Sequence, residues 1–400
     1  MADEQQSSRL RRNLYIFGSV SFFNDTASEM AYWILPAFIS SLGAGPATLG
    51  LIEGIAESVA AAGKLFSGYL TDAAPRRKPI VVFGYLLANA VKPLLALASR
   101  SWHVLLIRFA DRTAKGIRGT PRDVMLAESV DPRKIGSAYG FLQSLDSAGA
   151  IFGPLVAWWM LAHGRAMRSV FWLAVLPGFL AIVLVTLARE PQHRTPAGKQ
   201  ISLWRGPKLP FNFYYMLAAV LIFSIGNSSD MFLVLRAQQL GVPPALAPLL
   251  GLVFNITYTL FSWPAGWLSD RQPKVLMAAI GYLVFAVAYF GFAKGPATAW
   301  VWLIMSFYGL YYALTGPILR ALVVETAAPG SRGRAFGLYY FSTSIATLLA
   351  SLLTGELWKH YGARLPFATS AAMALLAALM LLGKSVYRRG QARMLDPAEG

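Results

Sequence analysis

The sequence has no cysteine, few charged residues and only four histidines. The absence of cysteine excludes a disulfide framework and a thiolate metal site. Charged residues make up 14% of the 400 residues, against about 25% in soluble domains. No histidine is placed for a proton relay within a membrane, because all four fall in predicted loops or at predicted helix ends. They are His103, His163, His193 and His360.

Apolar residues are abundant instead, with 56% hydrophobic residues and a mean hydropathy of +0.49. This composition predicts an all-α polytopic membrane protein with the lipid bilayer as its surroundings. Bases outnumber acids by 36 to 19, a net charge of +17. We do not assign this excess to nucleic-acid binding, because the bases lie in predicted cytoplasmic loops and on buried helix faces. We expect no cofactor and no metal site.

The apolar runs predict twelve transmembrane helices. Their ranges are 13–41, 47–72, 79–99, 102–128, 134–162, 168–189, 212–240, 244–270, 274–293, 298–326, 333–358 and 365–386. Alternate loops differ in charge, with roughly 21 Lys and Arg on one side against roughly 6 on the other. The positive-inside rule therefore places both termini in the cytoplasm.

Two motifs recur in the second half of the chain. Gly68–Asp72 (GYLTD) returns as Gly266–Asp270 (GWLSD), and Glu128–Gly140 returns as Glu325–Gly337, at offsets of 198 and 197 residues. The pattern predicts two six-helix repeats with a substrate site between them. The predicted parts are a cytoplasmic tail (1–12), an N-terminal six-helix bundle (13–189), a cytoplasmic linker (190–211), a C-terminal six-helix bundle (212–386) and a second cytoplasmic tail (387–400).

The fourth predicted helix carries a stripe of bases between residues 108 and 122. At about 100° per residue, four of them fall within an arc of about 80° and Arg118 lies at its edge. Each such charge in a bilayer costs at least ~2.5–3.5 kcal/mol unless it is paired or hydrated. We therefore expect the stripe to face acids, water or a charged ligand. Its four central members are Arg108, Arg112, Lys115 and Arg122.

Acids in other predicted spans are candidates to answer these bases. Asp25 and Glu29 are one helical turn apart, as are Glu53 and Glu57, and Asp146 lies mid-span. Two acids one turn apart repel each other when both are ionised in a low-dielectric environment. One acid of each pair is therefore expected to carry a proton near neutral pH. The candidate proton-coupling residues are Asp25, Glu29, Asp146 and Arg112. Static pairing that only holds the first half together is the alternative, as is a hard-cation site at Asp25 and Glu29.

The predicted spans of the second half carry aromatic and amide side chains, whereas those of the first half carry most of the charged ones. We expect these to form an aromatic wall for an organic substrate, with interfacial anchoring or packing as the alternative. The candidate substrate-binding residues of both halves are Asp25, Glu29, Glu53, Glu57, Arg108, Arg112, Lys115, Asp230, Asn227, Asn255, Tyr258, Tyr308, Tyr311 and Tyr312.

The loop after the second span resembles a signature of the major facilitator superfamily. The segment Gly68-Tyr-Leu-Thr-Asp72-Ala-Ala-Pro-Arg76-Arg77-Lys78 is similar to G-x-L-x-D-x-x-x-R-R-K, and the resemblance covers essentially the whole chain. In that family the cluster latches the outward-facing state. The second copy keeps Gly266 and Asp270 but has only Arg271 and Lys274 after them. We therefore expect a weaker latch there.

Two further elements resemble the same family. Arg112-Thr-Ala-Lys115-Gly116 is similar to its R-x-x-x-G element, which is linked there to proton coupling. Gly149-Ala-Ile-Phe-Gly153-Pro154 is similar to its G-x-x-x-G-P element, which is associated with exporters that exchange substrate for protons. Close helix packing through small residues is the alternative for Gly149 and Gly153.

The resemblance implies a secondary transporter that works by alternating access. We expect proton-coupled export of a small organic solute across the inner membrane by a multi-pass protein acting as a monomer. Uptake of an anionic nutrient or a metal chelate is the second hypothesis, and a membrane sensor or accessory protein without transport is the third. An enzyme is not expected, because the sequence has no nucleophile elbow, zinc-spaced histidines or phosphate loop.

Overall fold

Helices account for nearly all of the described chain. The computed structural model describes residues 2–32, 34–43, 46–191, 208–243, 246–295 and 297–395, and no residue in these ranges lies in a strand. Most of the predicted linker, together with His193, lies outside the described residues. The all-α prediction is confirmed.

The described residues form fifteen α-helices. Those of the first half are α1 (Ala2–Tyr32), α2 (Leu35–Ser41), α3 (Pro46–Ala73), α4 (Lys78–Val91), α5 (Ser101–Ser129), α6 (Ile135–Ala162), α7 (Met167–Leu173) and α8 (Val175–Thr186). Those of the second half are α9 (Phe211–Gly226), α10 (Met231–Gln239), α11 (Ala247–Ser269), α12 (Lys274–Lys294), α13 (Thr298–Thr326), α14 (Arg332–Tyr361) and α15 (Arg364–Leu395).

Four predicted spans are interrupted, which the hydropathy pattern does not reveal. α1 with α2, α7 with α8 and α9 with α10 each form one span, and a 3-10 turn, Lys92–Leu97, continues α4. Prolines follow two of these interruptions, Pro36 and Pro93, and proline supplies no N–H to a helix. The segment 227–230 reads Asn-Ser-Ser-Asp, whose short side chains compete for backbone hydrogen bonds.

The outer surface has the character of a membrane protein. Within the described residues, eight segments are long and apolar enough to cross a membrane; α1, α3, α5 and α11 supply the other four spans. α1, α3 and α5 miss that criterion because they carry the internal acids and bases. Large apolar side chains such as Leu176, Phe179 and Leu379 are exposed on the outer faces of their helices, as expected where lipid is the solvent.

The two halves pack their helices in the same order. In the first half α5 contacts α3 and α4, and α1 contacts α6 and α8. In the second half α13 contacts α11 and α12, and α9 contacts α14 and α15. Each second-half helix occupies the place of its counterpart about 197 residues earlier, so the repeated motifs belong to a repeated structure.

The halves meet along two helix pairs, α3 with α14 and α6 with α11. At the end that the loop charges assign to the cytoplasm, glycines bring the backbones together: Gly68 faces Gly337, and Gly140 faces Gly266. Toward the opposite end each pair leaves a cavity, of about 650 Å³ between α3 and α14 and about 470 Å³ beside α6 and α11. The protein is therefore closed at its cytoplasmic end and more open at the other.

The contact at Gly140 gives a direct test of this closure. A Cβ atom there would lie 3.0 Å from the Cα of Trp263 and 3.2 Å from the Cα of Gly266. We expect Gly140→Ile to destabilise the closed state by about 1–3 kcal/mol through overpacking. Cross-linking of cysteines introduced at the exposed residues Arg133 and Gln272 should fall, and the chain has no native cysteine to interfere.

Gly119→Ala is the matched control, because no other atom lies within 4 Å of the position that its new Cβ atom would take. Cross-linking in that variant should equal wild type. Unchanged cross-linking in Gly140→Ile would contradict the described closure.

Candidate functional site

The basic stripe on α5 finds acids within its own half. Arg108 donates two hydrogen bonds to Glu53, at 2.9 and 2.8 Å, and lies 3.6 Å from Asp111. Arg112 lies 3.4 Å from Glu57, the next acid along α3. The one-turn spacing of the two acids on α3 matches that of the two arginines on α5, so static pairing describes these four residues.

Arg108 and Arg112 both face α3 and pair with its acids, so the candidate coupling acids Asp25 and Asp146 have other neighbours. Asp111 is not among the candidates from the sequence, because the stretch around it was considered only for its basic residues. Its carboxylate lies 4.0 Å from the buried Lys92. Lys115 is exposed, and the Arg118 guanidinium lies 4.2 Å from the ring centre of Tyr85.

The remaining base of the stripe faces the centre of the protein. The Arg122 side chain contacts Asp123 at 3.0 Å and the Ser21 hydroxyl at 3.2 Å. One turn beyond Ser21, Asp25 lies beside Asp146 of α6, and the charges of Asp25 and Arg122 both act on the Asp146 carboxyl. Two carboxylates that lie side by side repel each other, so the binding of a proton to one of them is favoured.

Two hydrogen bonds join this centre to the second half. Arg320 on α13 donates to Gln143 on α6 at 2.5 Å, and Tyr340 on α14 donates to Asp123 on α5 at 2.5 Å. The two bonds are repeat-related, because residues 320 and 340 follow residues 123 and 143 by 197 positions. Gln143 also donates to Asp146, at 3.2 Å. The chain of contacts therefore runs from the carboxyl pair to the opposite half.

We call these side chains the central polar network. Its members are Asp25, Arg122, Asp123, Gln143, Asp146, Arg320 and Tyr340. Gln143 has a sequence signal, since it precedes Asp146 by three residues and shares its helix face. Arg320 and Tyr340 have none, because a single sequence does not state which helices of opposite halves face each other.

The glycines of the α6 motif hold α1 close to the carboxyl pair. A Cβ at Gly149 would lie 3.2 Å from the Cβ of Asp25, and one at Gly153 would lie 2.9 Å from that of Glu29. Pro154 follows inside the helix. The motif thus acts as a small-residue contact, and that contact brings the α1 acids to the face of α6 that carries Asp146.

The first latch acid caps a helix of the opposite half. The Asp72 carboxylate accepts from the backbone N–H of Gly333, at 2.8 Å, and of Arg334, at 2.9 Å, with the Arg334 side chain at 3.2 Å. These groups form the N-terminus of α14, where a negative charge is favourable. Arg76 is exposed, whereas Arg77 is buried and contacts Glu128.

Glu190 closes the base of this loop by accepting from the backbone N–H of Arg77, at 2.9 Å, and of Lys78, at 2.7 Å. This predicted first linker residue is therefore held against the first bundle.

The second latch has the same kind of backbone contacts as the first, although fewer bases follow Asp270 in the sequence. The Asp270 carboxylate accepts from the backbone N–H of Gly136, at 2.7 Å, and of Ser137, at 2.8 Å, with the Ser137 hydroxyl at 2.5 Å. These groups form the N-terminus of α6. The following bases do not decide the strength of the contact, because the carboxylate binds backbone N–H groups across the halves.

The tyrosines of the second half pack on one another. The Tyr312 ring centre lies 5.4, 5.3 and 4.7 Å from those of Tyr258, Tyr308 and Tyr311. Asn227 donates to the Tyr311 hydroxyl at 3.3 Å, and the Asp230 carboxylate accepts from Tyr308 at 2.5 Å. These residues come together beside the interruption between α9 and α10. Asn255 instead lines the cavity beside α6 and α11.

Two six-segment halves that are latched at one end and joined by buried polar side chains define a helical membrane transporter. The chain belongs to the Major Facilitator Superfamily, whose family profile matches residues 17–342 and 216–397. This confirms the resemblance read from the latch motif. Transport, rather than an enzymatic reaction, is the activity of this class.

Two relatives match nearly the full length. An uncharacterized MFS-type transporter of Methanocaldococcus jannaschii is 32% identical over 393 residues, which cover 95% of this chain and 96% of that protein. Multidrug resistance protein MdtG of Enterobacter lignolyticus is 26% identical over 404 residues, covering 95% and 93%.

Solved structures share the fold. The human organic anion transporter MFSD10 has a TM-score of 0.74 at 15% identity, covering 93% of this chain and 99% of that one. The transporter FucP in the outward conformation has a TM-score of 0.75 at 13% identity, covering 92% and 97%. At these identities the likeness concerns the fold alone.

The matching contacts of the two latches lead to a symmetric expectation. Asp72→Asn and Asp270→Asn each replace one acceptor oxygen by an amide N–H that would face a backbone N–H. Each change should shift the balance toward the cytoplasm-open state by about 1–3 kcal/mol, and the two shifts should be similar. The measurement is the cross-linking rate of cysteines introduced at two exposed pairs that are related by the repeat, Arg133 with Gln272 and Pro75 with Gly330.

Asp131→Asn, a change in the exposed loop before α6, is the control and should leave both rates unchanged. A large effect at Asp72 with none at Asp270 would support the expectation of a weak second latch.

Proposed function

We propose that the protein is a proton-coupled exporter of small organic solutes that acts as a monomer in the inner membrane by alternating access. One observation carries this proposal, namely the contact of Asp25 with Asp146 and its continuation through Gln143 to Arg320 of the other half. A proton-binding pair that is joined to the inter-half contact can couple proton occupancy to closure of the cytoplasmic end.

The coupling step follows from the hydrogen bonds of Gln143. Its Nε2 atom donates to Asp146 and its Oε1 atom accepts from Arg320. A proton bound by Asp146 makes it a neutral group, which is a weaker acceptor and itself a donor. Its O–H then competes for the Gln143 oxygen, and Arg320 loses a partner.

This order of events suits export. Protons reach the pair from the more open, extracytoplasmic side, and their binding weakens the contacts that hold the cytoplasmic end closed. The cytoplasmic end then opens, the protons leave and solute enters. The proposal places coupling on Asp25 and Asp146, with Glu29 beside them, and gives Arg112 a supporting role in the pair with Glu57. The name of the MdtG relative, a multidrug resistance protein, agrees with efflux.

The test is transport of ethidium, a fluorescent organic solute, in proteoliposomes with an imposed pH gradient. Wild type should move ethidium against the direction of proton flow. Asp146→Asn and Gln143→Leu should each lower gradient-driven transport by about tenfold, a typical coupling factor. Both variants should retain ethidium exchange without a gradient, because they remove coupling and leave the solute site intact.

Glu356→Gln is the matched control, since Glu356 is exposed on α14 and its partner among the described residues is His360, at 3.4 Å, one turn away. Undiminished gradient-driven transport in Asp146→Asn would contradict the coupling scheme. Ethidium movement in the direction of proton flow would indicate uptake, and saturable binding without flux would indicate a sensor.

A further inference from the structure

The span formed by α9 and α10 is interrupted at residues 227–230, and Asp230 begins the second helix. The counterpart in the first half, 197 residues earlier, is the interruption between α1 and α2. Non-helical backbone at membrane depth is tolerated where it is buried in protein or lines a water-filled space. In duplicated transporters, such discontinuous helices commonly carry the substrate site.

Asp230 is an exposed carboxylate without a basic partner. It accepts one hydrogen bond, from Tyr308 at 2.5 Å, and no Lys, Arg or His of the described chain forms an ion pair with it. Glu53 and Asp123 of the first half differ in this respect, since they contact Arg108 and Arg122. No charge of the described chain therefore compensates the Asp230 carboxylate, which leaves it available to the positive group of a solute.

Aromatic rings lie next to this carboxylate in the second half. The ring centre of its hydrogen-bond partner Tyr308 is 6.0, 5.6 and 5.3 Å from those of Tyr289, Tyr311 and Tyr312. Tyr312 is half-buried, so part of its ring remains open. The Oδ1 atom of Asn227 is buried in the same interruption and has no hydrogen-bond partner. The site thus presents negative charge, a free acceptor and an aromatic face.

We propose that Asp230, Tyr312 and Asn227 bind the positively charged group of an organic cation. This assignment rests on the proposed function and names the class of solute that the exporter carries. A cation compensates the negative charge of Asp230 and is attracted by aromatic faces, whereas an anion is repelled by the carboxylate. A bare metal ion is disfavoured, because no group of three or more acids or histidines in the described residues is arranged to hold one.

The test is equilibrium binding to purified protein in detergent, where no gradient exists and coupling plays no part. The probes are tetraphenylphosphonium and tetraphenylborate, which have the same shape and opposite charge. Wild type should bind the cation more tightly than the anion. Asp230→Asn should weaken cation binding by about tenfold or more and leave anion binding unchanged, and Asp230→Glu should recover much of the loss.

Two further variants separate the contribution of the Tyr312 ring to cation binding from that of its hydroxyl group. Tyr312→Phe should keep cation binding and Tyr312→Leu should weaken it, with Glu356→Gln as the exposed-acid control. Size-exclusion profiles and melting curves establish that each variant is folded. Equal affinity for both ions, an Asp230→Asn variant that binds the cation as wild type does, or no binding of the cation to folded wild type at millimolar concentration would overturn the proposal.

If cation binding follows these expectations while Asp146→Asn transports normally, the solute site stands and the coupling scheme fails. If coupling follows expectation and cation binding is independent of Asp230, the reverse holds.

Discussion

The contact between the Asp25 and Asp146 carboxyl groups is the interaction on which the transport mechanism depends. Ionised groups inside a membrane protein are costly unless they are paired or hydrated. In this protein many charged side chains of the first half form ion pairs with near neighbours, as Arg108 does with Glu53. The carboxyl pair differs, because its two acids lie side by side and are connected through Gln143 to Arg320 of the opposite half. Proton occupancy and inter-half contact are therefore properties of one set of side chains.

The closed cytoplasmic end depends on backbone geometry more than on surface charge. Glycines let α3 approach α14 and α6 approach α11, and the helix N-termini that meet there receive Asp72 and Asp270. Each carboxylate replaces water at N–H groups that a helix leaves without internal partners. Because the two contacts are repeat-related, opening must break both, and a modest change in the central polar network can shift a balance between two well-defined states.

The membrane-spanning segments could be predicted from the sequence, because the bilayer requires them. Side-chain contacts that depend on the mutual orientation of helices could not. Long apolar runs predict the spans, since a bilayer requires them, and two recurring motifs predict the duplication. The roles of Asp72 and Gly68 are also readable, because a local motif carries them. Arg320 and Tyr340 were missed because helical periodicity defines a face on one helix, not its neighbour in the other half. The interruption at residues 227–230 was missed because a window of high hydropathy continues across it.

Electron paramagnetic resonance distances between spin labels on cysteines introduced at Arg133 and Gln272 test the central claim most directly. Both positions are exposed at the cytoplasmic end, one in each half. The account predicts one short distance at high pH and a growing population of a longer distance as the pH is lowered. In Asp146→Asn the two populations should no longer depend on pH. A wild-type distance distribution that does not respond to pH, or the same response in Asp146→Asn, would contradict the claim that this carboxyl pair controls the halves.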